Sequence, residues 1–138
     1  MVRAVSILSF AYSRGAAPDA DLVHDMRFLR NPHWQDGLRH LTGLDAEVGA
    51  YIAGDGAYAG ALARIEAELL ERLADDDVRI AFGCTGGRHR SVHVAEHVAA
   101  RLRAAGFSPS LEHRDLATRP RDDIARSQEA GTTAFQGD

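Results

Sequence analysis

A chain of 138 residues, 45% hydrophobic and 26% charged, carries enough apolar material for one ordinary core, which excludes wholesale disorder and a fibrous fold. Its formal net charge of −4 argues against a protein that coats nucleic acid by phosphate attraction alone, and its single cysteine excludes an internal disulfide, in keeping with a reducing compartment. No run of about 18 apolar residues occurs, so no membrane span is expected and the expected location is the cytoplasm.

The opening AVSILSFAY (4–12) mixes β-branched and aromatic residues in loose alternation and predicts a first strand. SRGAAPDAD reads as a loop, and LVHDMRFL (22–29) as a second short strand that Pro32 brings to an end. The charged stretch WQDGLRHLTGLD leads to Asp45, a candidate N-cap for a helix over AEVGAYIA (46–53). A longer helix is predicted over 57–73, with Leu62, Ile65, Leu69 and Leu73 on one stripe. Asp75, Asp76 and Asp77 close it, and VRIAFG (78–83) is the clearest strand in the chain.

After that strand comes AFGCTGGRHRSV (81–92), where apolar residues give way to a cysteine, two glycines and alternating cations. A helix over 91–105 follows, ended by Gly106, and SPSLEHRD (108–115) predicts a fourth strand. Strand, helix and strand in about 35 residues is the spacing of a right-handed parallel crossover. The expected fold is a small three-layer α/β domain with a mostly parallel sheet, spanning 1–116. Residues 117–138 lack a sustained apolar period and predict a loosely ordered tail with at most a short helix over 122–128.

A turn leaving a parallel strand and entering a helix gathers unpaired backbone N–H groups at the positive end of the helix dipole, which makes it an anion site. Gly86 and Gly87 allow close backbone approach, Arg90 supplies a guanidinium fork, and Thr85 and Ser91 supply hydroxyls. The natural guest is phosphate. The turn is not a Walker A motif, because no Gly-Lys-Ser/Thr follows its glycines. Cys84 and Arg90, spaced C-x5-R and followed by Ser91, resemble the phosphate loop of cysteine-dependent protein tyrosine phosphatases, with Asp25 or Asp115 available as leaving-group acid. Gly83 stands where many of those enzymes carry histidine.

His89, His93 and His97 recur every four residues, but Val94, Ala95, Val98 and Leu102 define the core stripe of their helix. His93 and His97 are therefore expected largely toward solvent, with no metal, and His89 beside the ligand. Trp34 is expected to anchor its loop rather than to serve as a stacking platform, and Tyr51 and Tyr58 to pack from their helices against the sheet.

Taken in order, DADLVHDMRFLRNPHW, LRHLTGLD, GCTGGRHRSV and EHRDL resemble the C-terminal domain of the RapZ family of RNase adapter proteins, over about residues 6–116. The resemblance implies a sugar-phosphate-binding fold that takes glucosamine-6-phosphate, contributes in some members to binding small regulatory RNAs, and self-associates as a homo-oligomer. The chain opens at the first strand of the matching region, so the nucleotide hydrolysis of the family's Walker-type domain is not expected. The lysine-rich extension of the RNA-binding members is replaced here by a tail in which Arg119, Arg121 and Arg126 are offset by Asp122, Asp123 and Glu129, which weakens the expectation of RNA binding.

Ligands of parallel α/β sheets sit beyond the carboxyl ends of the strands. That rule gathers Asp25 and Arg27, the turn of Cys84, Thr85, Gly86, Gly87, Arg88, His89, Arg90 and Ser91, and the trio His113, Arg114 and Asp115, with Arg39, Thr42 and Gly43 from the long connection. The leading expectation is a binding or sensor domain for a phosphorylated small molecule, without a cofactor, reporting to a protein or RNA partner. A phosphatase with Cys84 as nucleophile, helped by Arg90 and Asp115, is the second, and an RNA-binding adapter the third.

Overall fold

A computed structural model describes residues 2–117; the expected tail beyond residue 117 and its short helix lie outside the described residues. Four strands, β1 (Val5–Ala11), β2 (Leu22–Asp25), β3 (Val78–Cys84) and β4 (Ser110–His113), form one sheet in the order β2-β3-β1-β4. Every pairing is parallel, with Val5 opposite Val78, Ala11 opposite Cys84, Ser6 opposite Ser110 and Leu22 opposite Ile80. All four strands therefore end at one edge of the sheet, and this edge positions the site. Three helices, α1 (Ala46–Ala53), α2 (Tyr58–Leu73) and α3 (Arg90–Ala104), complete the α/β fold.

The helices cover one face. Val5 and Ile7 of β1 and Val78, Ile80 and Phe82 of β3 share a cluster with Leu62, Ile65, Leu69 and Leu73 of α2 and Val94, Ala95, Val98 and Leu102 of α3. Both predicted stripes are thus the buried faces of their helices, and each fully buried Leu or Ile contributes about 1.5–3 kcal/mol of transfer free energy. On the other face Leu8, Phe10 and Ala81 pack with Tyr12 and Ala20. The third layer is therefore the connection between β1 and β2, which holds one 3-10 turn (Tyr12–Arg14) and no α-helix. That connection runs opposite in direction to the two helical crossovers, so right-handed crossing takes it to the opposite face.

Boundaries follow local bonds. β2 stops at Asp25 because Met26 N–H makes a last bond to Gly83 O at 2.7 Å, while the Asp25 carboxylate accepts the N–H of Arg27 at 2.9 Å and turns the chain. Asp45 precedes α1 as expected, yet its carboxylate accepts from Thr42 N–H at 2.8 Å and does not cap the helix. Gly106, at φ +98°, ends α3, with Phe107 N–H bonded back to Leu102 O at 3.0 Å.

Candidate functional site

Residues 85–89 join β3 to α3 at the carboxyl edge, and all of them are buried. Gly87 adopts φ +73°, and a Cβ there would lie 2.8 Å from Ala11 Cβ and 3.0 Å from Asp115 Cβ, so the turn presses against the ends of β1 and β4. Its carbonyls are tied outward: Thr85 O accepts from Ser13 N–H at 3.1 Å and Ser13 Oγ at 2.6 Å, and Arg88 O accepts from Gly43 N–H at 2.8 Å. Gly43 lies against the first turn of α3, where an added Cβ would come within 2.4 Å of His89 O. The N–H groups of Gly86 and Gly87 meet no acceptor among the described residues. The first turn of α3 contains no acidic side chain, and His89, which precedes it, makes no side-chain cap.

Arg90 is only 1% exposed, although a guanidinium cannot shed its charge. Its Nη1 donates to Arg27 O at 2.7 Å and Leu29 O at 3.2 Å, whereas its buried Nε and Nη2 have no acceptor among the described residues. Leaving a charged donor buried and unmade costs more than a neutral one, so these atoms favour an anionic guest. Below them, the Cys84 thiol donates to Ser91 Oγ at 3.1 Å and accepts from Ser91 N–H at 3.4 Å.

At the end of β2, Asp25 and Arg27 form a forked pair, Nη2 to Oδ2 at 2.6 Å and Nε to Oδ1 at 2.9 Å. The Arg27 guanidinium also lies 4.2 Å from the centroid of the Tyr12 ring. Burial alone would lift the Asp25 carboxyl, but hydrogen bonds from Arg27 and the charges of Arg27 and Arg90 hold it below its ordinary value. The bond to Asp25 raises Arg27 in turn, and burial followed by the Asp25 charge raises the Tyr12 phenol. Asp25, Arg27, Arg90, Cys84 and Tyr12 thus form one electrostatic unit, in which Asp25 stays ionised near neutral pH.

Other predicted residues are brought to the same edge but are engaged by the protein. Asp115 touches the turn, and its carboxylate accepts from Ala11 N–H at 2.7 Å and Arg114 Nε at 3.0 Å. Arg114 pins the β1–β2 connection through Ala16 O and Ala11 O and lies over Phe10. Arg88 reaches Leu116 O and His40 O, and the His89 ring bonds Arg39 O at 3.1 Å. Arg39 donates to His33 O at 3.0 Å and lies beside Trp34, and Thr42 N–H and Oγ1 are both directed at Asp45. His113 is placed elsewhere: Nδ1 is 2.6 Å from Ser9 Oγ and Nε2 is 2.7 Å from Glu96 Oε2, so its ring bridges β1 to α3 under the helix layer.

His93 and His97 do not face open solvent as expected. Both are partly buried, because α1 and α2 pack beside α3 and cover the positions flanking its core stripe. Tyr58 Oη lies 2.8 Å from His93 Nε2, and a Cβ at Gly49 would come within 2.9 Å of the His93 ring. Tyr58 is buried with the core, as expected, while Tyr51 lies under the Arg30 guanidinium. Trp34 is half-buried, its ring edge-on to His33. Among the described residues no cluster of three His, Cys, Asp or Glu could hold a metal ion, and no helix is long and apolar enough to cross a membrane.

Sequence reasoning missed Tyr12 and Ser13. Both lie just beyond β1, and the carboxyl-edge rule that selected the ends of the other three strands, applied to the first as well, would have included them.

The RapZ C-terminal domain is matched by residues 3–117. A protein named nucleotide-binding protein from Rhizorhabdus wittichii is 53% identical over 133 residues, 92% of this chain and 42% of that protein. Proteins of the same name from Sphingopyxis alaskensis and Novosphingobium aromaticivorans are 47% and 54% identical, over 96% and 86% of this chain and 44% and 41% of their own lengths. The chain thus spans less than half of these relatives.

Proposed function

Because this chain belongs to the RapZ C-terminal domain family, we propose that it is a regulatory binding domain whose β3–α3 turn takes a small phosphorylated metabolite, an amino-sugar phosphate such as glucosamine-6-phosphate. The observation that carries the reading is the buried, unfilled donor set: Nε and Nη2 of Arg90 with the N–H groups of Gly86 and Gly87. In this reading the phosphate oxygens accept these bonds at the positive end of α3, and binding relieves a desolvation cost the free protein bears. Asp25 and Arg27 border the sugar or its amine, and ligand occupancy is reported to a protein or RNA partner, with self-association as part of that output.

The phosphatase reading has one observation in its favour. Ser91 N–H and Oγ both meet the Cys84 sulfur, an arrangement suited to a thiolate. Against it, Cys84 is 0% exposed, Asp25 is held ionised by Arg27 and is no ready proton donor, and the Asp115 carboxylate already accepts from Ala11 N–H and Arg114. We therefore favour binding over turnover.

Calorimetric titration with glucosamine-6-phosphate, glucosamine and inorganic phosphate tests the binding reading, which requires heat with the sugar phosphate and is lost if none of the three binds. Incubation with p-nitrophenyl phosphate separates the second: the binding domain shows no turnover that Cys84→Ser removes, while ligand affinity survives in that variant.

A further inference from the structure

Among the described residues the outer side of β2 is an open sheet edge, since this strand stands at one end of the sheet order. In a parallel pairing only alternate residues of an edge strand bond their neighbour. Met26 N–H bonds inward to Gly83 O at 2.7 Å with Asp25 opposite Gly83, so Leu22 and His24 bond β3 and the peptide groups of Val23 and Asp25 are directed away from it.

Beside this edge, between β2 and α2, lies a cavity of about 340 Å³. Met26, Ala61 and Ile65 give it an apolar floor, and Phe28, itself 52% exposed, forms a wall. Val23, on the same strand, is 43% exposed. Two charged side chains of α2 stand at the rim, and they differ. Glu68 is held by His24, Nε2 to Oε1 at 3.3 Å, while Arg64 makes no hydrogen bond or ion pair with any described residue.

We propose that the β2 edge is a docking surface for an extended segment of a protein partner, which adds to the sheet, places one apolar side chain in the cavity and sets an acidic residue against Arg64. The outward peptide groups supply strand pairing, and the cavity with Arg64, which has no partner among the described residues, supplies selectivity. A small molecule would fill the cavity without using the edge. A second copy of the chain is the alternative occupant, and it would show as a dimer. Asp25 lines this cavity as well as the proposed phosphate site, but the donors of Arg90 and the glycine turn lie outside it, so Arg64→Glu leaves them intact.

The test is selection of short linear peptides from a display library on the intact chain, followed by fluorescence anisotropy with the recovered peptides. Enriched peptides should carry an apolar residue close to Asp or Glu, and should slow amide exchange at Val23 and Asp25. Arg64→Glu should weaken them at least tenfold, and Ala61→Trp, which fills the cavity, should abolish binding with the melting temperature retained. If Ala61→Trp does not fold, Arg64→Glu on the exposed rim decides alone. No enrichment, peptides indifferent to Arg64→Glu, or unprotected Val23 and Asp25 amides would overturn the proposal. So would a concentration-dependent dimer that Arg64→Glu dissociates, because it would give the edge to a second copy.

Discussion

Arg90 reaches from the first turn of α3 to the far side of the β3 terminus, where its Nη1 donates to the carbonyl oxygen of Arg27 at 2.7 Å. One guanidinium thus joins two segments more than sixty residues apart in sequence and still keeps two buried donors for a guest. Arg90→Lys retains the charge but loses the fork. Loss of a charge-assisted hydrogen bond costs about 1.5–3 kcal/mol, so the sugar phosphate should bind roughly ten- to a hundredfold more weakly by calorimetry. Unchanged affinity would remove Arg90 from the site.

Gly87 carries the turn against β1. Alanine there must adopt φ +73° and bring its Cβ to 2.8 Å from Ala11 Cβ. Left-handed strain and overpacking together should lower stability by roughly 2–4 kcal/mol in denaturant titration. Because both contacts belong to the turn, ligand affinity should fall as well. Gly106→Ala is the contrast: φ is +98° but nothing lies within 4 Å of the added Cβ, so only the strain remains and affinity should not change.

How much of this was legible depends on the distance over which each signal acts. The stripe of α2, the β3–turn–α3 unit and the stop at Gly106 are written in consecutive residues, where period and turn chemistry decide. Parallel order followed from crossover spacing, and with it the edge that gathers Asp25, Cys84 and Asp115. The partners of individual polar groups were not legible. Ser9 meets His113, and Ala11 N–H meets Asp115, only because β4 pairs with β1 in one register, and nothing near either residue in the chain records that. The same holds for His93, whose surroundings were set by α1 and α2 rather than by its own helix.

That placement has a pH consequence. Burial lowers His93, helped by the His97 charge, and burial also lowers His97, with Glu66 opposing and Arg101 reinforcing the shift. The Tyr58 hydroxyl faces His93 and carries no charge near neutral pH, since burial raises it. A base whose folded-state value is depressed takes up its proton more readily in the unfolded chain, so stability rises with pH across the window between the two values. It should be complete above the ordinary value of 6.5 and decline as pH falls below it. Asp25 also loses its contribution in acid, but only as pH falls below the ordinary 3.8 toward its lowered folded value. Melting temperatures between pH 7 and pH 5 should therefore drop in the native protein and drop less in the double variant His93→Gln, His97→Gln. Equal slopes would refute the assignment.

His113 offers the sharpest separation of architecture from binding, because the carboxyl-edge rule gathers it into the site while its hydrogen bonds hold it under α3. His113→Leu leaves Ser9 Oγ, on a residue that is 0% exposed, without its partner, at a cost of about 1–3 kcal/mol. Adding Ser9→Ala should recover part of that loss, since removing both members of a buried pair costs less than removing one. Affinity for the sugar phosphate should stay within about twofold in both variants, because neither touches Arg90 or the glycine turn. If His113→Leu instead weakened the ligand tenfold while stability held, the ring would have to reach the guest, and its place between Ser9 and Glu96 would belong only to the ligand-free protein.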